Sequence, residues 1–103
     1  MNATDYRREG ATVNLAVRTN LLDAAAAKQT KERFAEIPLD AGVQQIVIDL
    51  RIVDFVDSSG VGALLALCRR APQGTLVRLV GVKPEVRTVL ELLRLHRVFV
   101  ISG

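Results

Sequence analysis

Three times along this chain an apolar, strand-like segment gives way to a helix-like one, and that alternation most constrains the fold. The strongest strand signal is Gln45 to Leu50, which contains Ile46-Val47-Ile48, a continuous β-branched run. Such runs read as strands buried on both faces, usually in a parallel sheet. Helices between successive strands imply right-handed crossovers and a largely parallel sheet.

The other segments fit the same scheme. Tyr6 to Gly10 predicts a short polar first strand, and Ala11 to Val17 a second, with Val13, Leu15 and Val17 on one face. Asn20 or Asp23 offers an N-cap for a helix over Ala24 to Ile37, ended by Pro38 and Gly42. Its narrow stripe is Ala26, Ala27, Thr30, Phe34 and Ile37. After the β-branched strand comes a loop, Arg51 to Asp57, carrying a second apolar cluster, Val53, Phe55 and Val56. A helix then runs from Ser58 to about Ala71, with Val61, Leu64, Leu65 and Cys68 at amphipathic spacing. Leu76 to Val80 is another strand, closed by Gly81. Pro84 opens a last helix at a favoured first-turn position, with Val86, Val89, Leu90 and Leu93 as its buried stripe. Leu92 and Leu95 fall off that stripe, as peripheral core or as an exposed apolar patch. Phe99 to Ile101 is a terminal strand. The order is ββαβαβαβ, an α/β fold with a mixed, mostly parallel sheet and packed helices, expected as one domain over residues 1–103.

Composition narrows the function classes. One cysteine, Cys68, and one histidine, His96, make a protein-built transition-metal site improbable. Aromatics are 4% with no Trp, which leaves little for stacking on bases. Residues 1–57 carry nine acids and seven bases, whereas residues 58–103 carry two acids and seven bases. The bases form no dense run, which argues against nucleic acid and fits a solvated face or a docking face for an acidic partner. The first 13 residues hold no apolar leader core, and no apolar run approaches the ~20 residues of a membrane span. A cytoplasmic protein without direct membrane insertion is expected.

Most candidate chemistry falls away. Gly60-Val61-Gly62 lacks the third glycine of a dinucleotide fingerprint, because Leu65 stands there. No Walker A sequence is present, and nothing pairs His96 with Ser58 as a catalytic base. Cys68 lies on an apolar helix face, and Asp49, Asp54 and Asp57 look like turn and cap residues. The stretch with content is Asp57-Ser58-Ser59-Gly60, where a loop becomes a helix. Asp57 or Ser58 serves as N-cap. Gly60 and Gly62 each cost roughly 0.8–1 kcal/mol relative to Ala in a helix interior, so something requires their small size. A phosphoryl group here would sit at the positive end of a helix, adding about −1.5 to −2 charges without unfolding anything.

Ile46-Val47-Ile48-Asp49-Leu50, then Val53-Asp54-Phe55-Val56-Asp57-Ser58-Ser59-Gly60-Val61-Gly62-Ala63-Leu64-Leu65, resembles the STAS domain of anti-sigma-factor antagonists. Leu22-Asp23 resembles the family's second landmark, after its second strand, and the resemblance runs roughly from Val13 to Ile101. It implies a non-enzymatic bacterial regulator of transcription, in stress response or sporulation, with no catalytic residue, metal or cofactor. The unphosphorylated form would bind an anti-sigma factor that is also a serine kinase of the histidine-kinase-like ATPase fold, and so free a sigma factor. Phosphorylation at Ser58 would release it, and a serine phosphatase would restore it. Asp23, Asp57, Ser58, Ser59, Gly60 and Gly62 would form the partner-binding site. The alternative is a STAS docking subunit of a transporter or signalling complex, without a phospho-switch.

Overall fold

The computed structural model describes residues 4–103. The first three residues of the expected domain, and the start of the stretch read for a leader, lie outside the described residues. The elements are β1 (Thr4–Glu9), β2 (Thr12–Val17), β3 (Leu21–Leu22), α1 (Ala24–Ala35), β4 (Gln45–Asp49), β5 (Phe55–Val56), α2 (Ser58–Arg70), β6 (Leu76–Val80), α3 (Pro84–Leu92), a short 3₁₀ turn (Leu95–Arg97) and β7 (Val100–Ile101). The main sheet has the order β1-β2-β4-β6-β7, with β1 antiparallel and the other pairs parallel. The mixed, mostly parallel α/β sheet expected from the alternation is therefore present.

The first strand begins two residues before its expected start and ends before Gly10. That glycine sits in the turn to β2 at φ +61°, a conformation glycine adopts without a Cβ penalty.

Among the described residues the sheet is covered on one face only, which corrects the reading of β4. Val13, Leu15 and Val17, Ile46 and Ile48, and Val77 and Leu79 share one face and are buried. They join Phe34 of α1, Leu64 and Leu67 of α2, and Val86 and Leu90 of α3 in one core. The alternate positions Asn14, Ala16, Val47, Asp49, Arg78 and Val80 are only half-buried. Ile46-Val47-Ile48 is thus apolar on both faces but buried on one. The smallest dimension, 19 Å, is that of one sheet and one helix layer.

Two local features were not expected. Within the Arg51–Asp57 segment, Phe55–Val56 forms β5 and pairs in parallel with β3 as a separate two-stranded sheet. The other departure lies at the end of α3, where the helix stops at Leu92 and Arg94 turns left-handed at φ +58°. That reversal removes Leu93 from the core, leaving it 51% exposed, and brings in Leu95 at 7%. Leu92 is 77% exposed, so of the pair set off the stripe only Leu92 is surface. Val89 packs half-buried against the core.

Candidate functional site

The site grows from the small sheet. β3 and β5 run parallel in the register Leu21↔Phe55 and Leu22↔Val56. The next residues, Asp23 and Asp57, therefore stand side by side, and each begins a helix. Both have extended backbones, with ψ −172° and −173°. Asp23 Oδ1 accepts the Ala26 N–H at 3.1 Å. Asp57 Oδ1 accepts two N–H groups, from Ser59 at 2.9 Å and Gly60 at 3.1 Å. Of the alternatives open in the sequence, Asp23 and Asp57 are the caps. The helices run side by side in the same direction, so their positive ends adjoin, and an aspartate at each supplies the opposing charge.

Gly60 and Gly62 have different roles. Gly60 is buried where α2 crosses β3, and a Cβ there would lie 2.5 Å from the Leu22 carbonyl oxygen and 2.7 Å from Val56 Cγ2. It is required by packing. Gly62 is exposed, and a Cβ on it would meet nothing within 4 Å. No packing within the described residues accounts for its size. Ser58 and Ser59 are both exposed at the first two positions of α2.

The expected site residues thus come together, but not all at the surface. Ser58, Ser59 and Gly62 face solvent, Asp23 and Asp57 are half-buried caps, and Gly60 is interior. The nearby carboxylates are occupied structurally. Asp49 accepts the Arg51 N–H at 2.8 Å, and Asp54 pairs with Lys83. Among the described residues no cluster of three or more His, Cys, Asp or Glu could hold a metal ion. Cys68 is half-buried, and desolvation pushes its thiol up against the smaller opposing effect of Arg69.

Two parts of this surface were not picked out from sequence. Leu21 and Phe55, register partners, are each 48% exposed two residues before the two caps. A groove of about 390 Å³ also lies between α1 and α2, lined by Ser59, Gly62, Ala66, Lys28, Lys31 and Arg69 among others. Two of its three cations come from the acidic half of the sequence, so the charge split at residue 58 is not a split in space. The signal was present: Ala24, Ala27, Lys28 and Lys31 follow the i, i+3, i+4, i+7 spacing of one helix face. Arg70, by contrast, is used internally, donating to the carbonyls of Phe34 at 2.6 Å and Ile37 at 2.9 Å and so closing the end of α1.

The family model of the STAS domain matches residues 5–102. BtrV of Bordetella bronchiseptica, a candidate anti-sigma factor antagonist, is 31% identical over 85 residues, which is 81% of this chain and 72% of that protein. Among solved structures, an anti-sigma-factor antagonist (STAS) domain protein from Planctomyces limnophilus superposes with a TM-score of 0.85, 20% identity and coverage of 100% and 90% of the two chains. The Bacillus cell fate determinant SpoIIAA in its phosphorylated form gives 0.69, 22% identity and coverage of 98% and 92%.

Proposed function

Because the chain belongs to the STAS domain family, we propose that it is an anti-sigma-factor antagonist working through a phosphorylation-controlled partner switch at the start of α2. One observation carries the reading: Ser58 is exposed as the first residue of a helix already capped by Asp57, inside a complete Asp57-Ser58-Ser59-Gly60-Val61-Gly62 motif. The name of its relative BtrV supports an anti-sigma factor as the partner. The solved phosphorylated form of SpoIIAA supports a phospho-switch, by analogy of fold.

The mechanism follows from the geometry. In the unmodified chain, Ser58, Ser59 and Gly62 present little side-chain bulk, with the apolar pair Leu21 and Phe55 alongside. A partner backbone approaches closely there, and the apolar pair supplies burial. A kinase partner transfers the γ-phosphoryl group of its bound ATP to the Ser58 hydroxyl oxygen, which loses its proton, and ADP is released. The added dianion lies at the positive end of α2, which tolerates it, so the fold persists. It also lies one residue from the Asp57 carboxylate, so the docking surface becomes strongly negative and bulky and the partner leaves. A serine phosphatase reverses the change by hydrolysis. The protein supplies the surface and the hydroxyl, and the partner supplies the catalysis.

The test is incubation of the chain with ATP and the candidate serine kinases encoded by its own genome, with phosphate located by mass spectrometry. Phosphate on Ser58, and capture of the same kinase by wild type but not by Ser58→Asp, is expected. No modification by any kinase, together with unchanged partner capture by Ser58→Asp, overturns the reading. Co-purification with a membrane transporter instead would support the docking-subunit alternative.

A further inference from the structure

The groove between α1 and α2 has a one-sided charge that the switch by itself does not require. Its charged lining residues are Lys28, Lys31 and Arg69, with no carboxylate among them. All three are exposed, and among the described residues none lies within ion-pair distance of an acid. Other bases are engaged: Arg8 pairs with Asp40, Arg18 with Asp5, Lys83 with Asp54 and Arg87 with Glu91. Glu32, although next to Lys31 in sequence, does not line the groove.

The floor is made of small residues. Ala24 and Ala27 on α1 face Gly62 and Ala66 on α2, so the helices lie close and no large side chain fills the space between their outer edges. The groove starts at Ser59, where both helices turn their positive ends outward. The side-chain charge of the lining is therefore positive, from Lys28 to Lys31 and Arg69, while at the head of the groove Asp23 and Asp57 cap the two helix termini.

We propose that this groove receives an acidic, Asp/Glu-rich segment of the partner protein, lying along α1 and α2 with one end at Ser58; the proposal rests on the partner-switch reading above and names the chemistry of the partner's contact. Charge complementarity selects that occupant, and the shallow floor admits a chain in close contact. The arrangement also gives the switch a physical lever. A phosphoryl group on Ser58 would stand one residue from Ser59, at the head of the groove, and repel the acidic segment drawn there by the cations.

The probe is an octaglutamate peptide titrated into the isotope-labelled full-length chain and followed by amide chemical shifts. Shifts centred on Lys28, Lys31, Ser59, Gly62 and Arg69 are expected, with at least tenfold weaker binding at 200 mM than at 20 mM salt. The triple variant Lys28→Gln/Lys31→Gln/Arg69→Gln should lose the response, and Arg78→Gln/Arg97→Gln, with the same sign of charge change elsewhere, should keep it. Shifts centred elsewhere, equal losses in both variants, or displacement by a single-stranded oligonucleotide of equal charge at lower concentration overturn the proposal. Kinase assays separate the two readings. If wild type and the triple variant are phosphorylated on Ser58 at equal rates, the groove proposal falls and the partner switch stands. If the peptide binds as expected and no kinase modifies wild type, the groove's acidic preference stands and the partner switch falls.

Discussion

Helix α1 opens Ala24-Ala25-Ala26-Ala27, and helix α2 opens Ser58-Ser59-Gly60-Val61, followed by Gly62. Their settings match closely. Each follows a two-residue parallel strand, each has an extended aspartate as N-cap, and in each the cap accepts from the third helical residue, Ala26 or Gly60. Alanine has the highest helix propensity and glycine nearly the lowest. The first junction shows that this backbone is reached with alanines alone, so the serines and glycines of the second are not there to make a helix. Gly60 is there to let α2 pass Leu22. Among the described residues Ser58, Ser59 and Gly62 have no such packing reason, and they are the positions proposed above for partner recognition.

The comparison breaks most visibly at the third helical position. Gly60→Ala puts a methyl group 2.5 Å from the Leu22 carbonyl oxygen, a backbone atom that cannot swing away. Overpacking of this kind costs about 2–3 kcal/mol. The mirror change, Ala26→Gly, costs no more than about 1 kcal/mol from propensity. Urea unfolding of both variants should show the larger loss for the change that adds atoms. A loss below that of Ala26→Gly would mean that the crossing is loose and that Gly60 is free to serve the surface after all.

Next in size are the caps. Removing an aspartate N-cap costs about 1 kcal/mol, within a range of roughly 0.5–2. Asp57 holds two amides and Asp23 one, so Asp57→Ala should fall in the upper part of that range and Asp23→Ala near its middle or below. Equal losses would show that the second bond to Asp57 adds nothing.

How far these features were legible depended on whether a pattern is local. Element order, both candidate caps and the Asp57–Gly62 motif were readable because they rest on adjacent residues. The strands β3 and β5 were not, since two residues are too few to display alternation and their pairing spans more than 30 positions. Val47 misled because an apolar side chain can stand on an open sheet face. Leu93 and Leu95 exchanged places because Arg94, a residue type with no preference for φ > 0, turns left-handed there. Gly60 and Gly62 are the same letter two positions apart, and only the path of β3 across one of them separates a packing glycine from a surface one. The basic groove needed two helix faces from distant segments to be brought together.

Gly62→Ala reverses the sign of the Gly60 experiment. With open space around the new methyl group, helix propensity should raise stability by about 0.8–1 kcal/mol. Partner binding should fall in the same variant, because the methyl group stands in the groove. A thermal melt and a partner-capture assay on one preparation measure both. A stabilised variant with unimpaired binding would remove Gly62 from the recognition surface and leave its small size without a role.

The smallest effect gives the finest comparison, at the first helical position. Ser58 and Ala24 occupy it in α2 and α1, each beside an aspartate cap and at a positive helix end. An added carboxylate there gains roughly 0.3–1 kcal/mol from the helix dipole, less the repulsion from the neighbouring cap. Ser58→Asp and Ala24→Asp should therefore shift stability little, and by similar amounts. If the junctions differ only in function, Ser58→Asp abolishes partner capture and Ala24→Asp weakens it modestly, through the groove that Ala24 lines. Equal loss in both would mean that the partner reads the summed charge of two helix ends. Retention of binding in both would mean that the start of α2 is no more a recognition site than the start of α1, despite its serines.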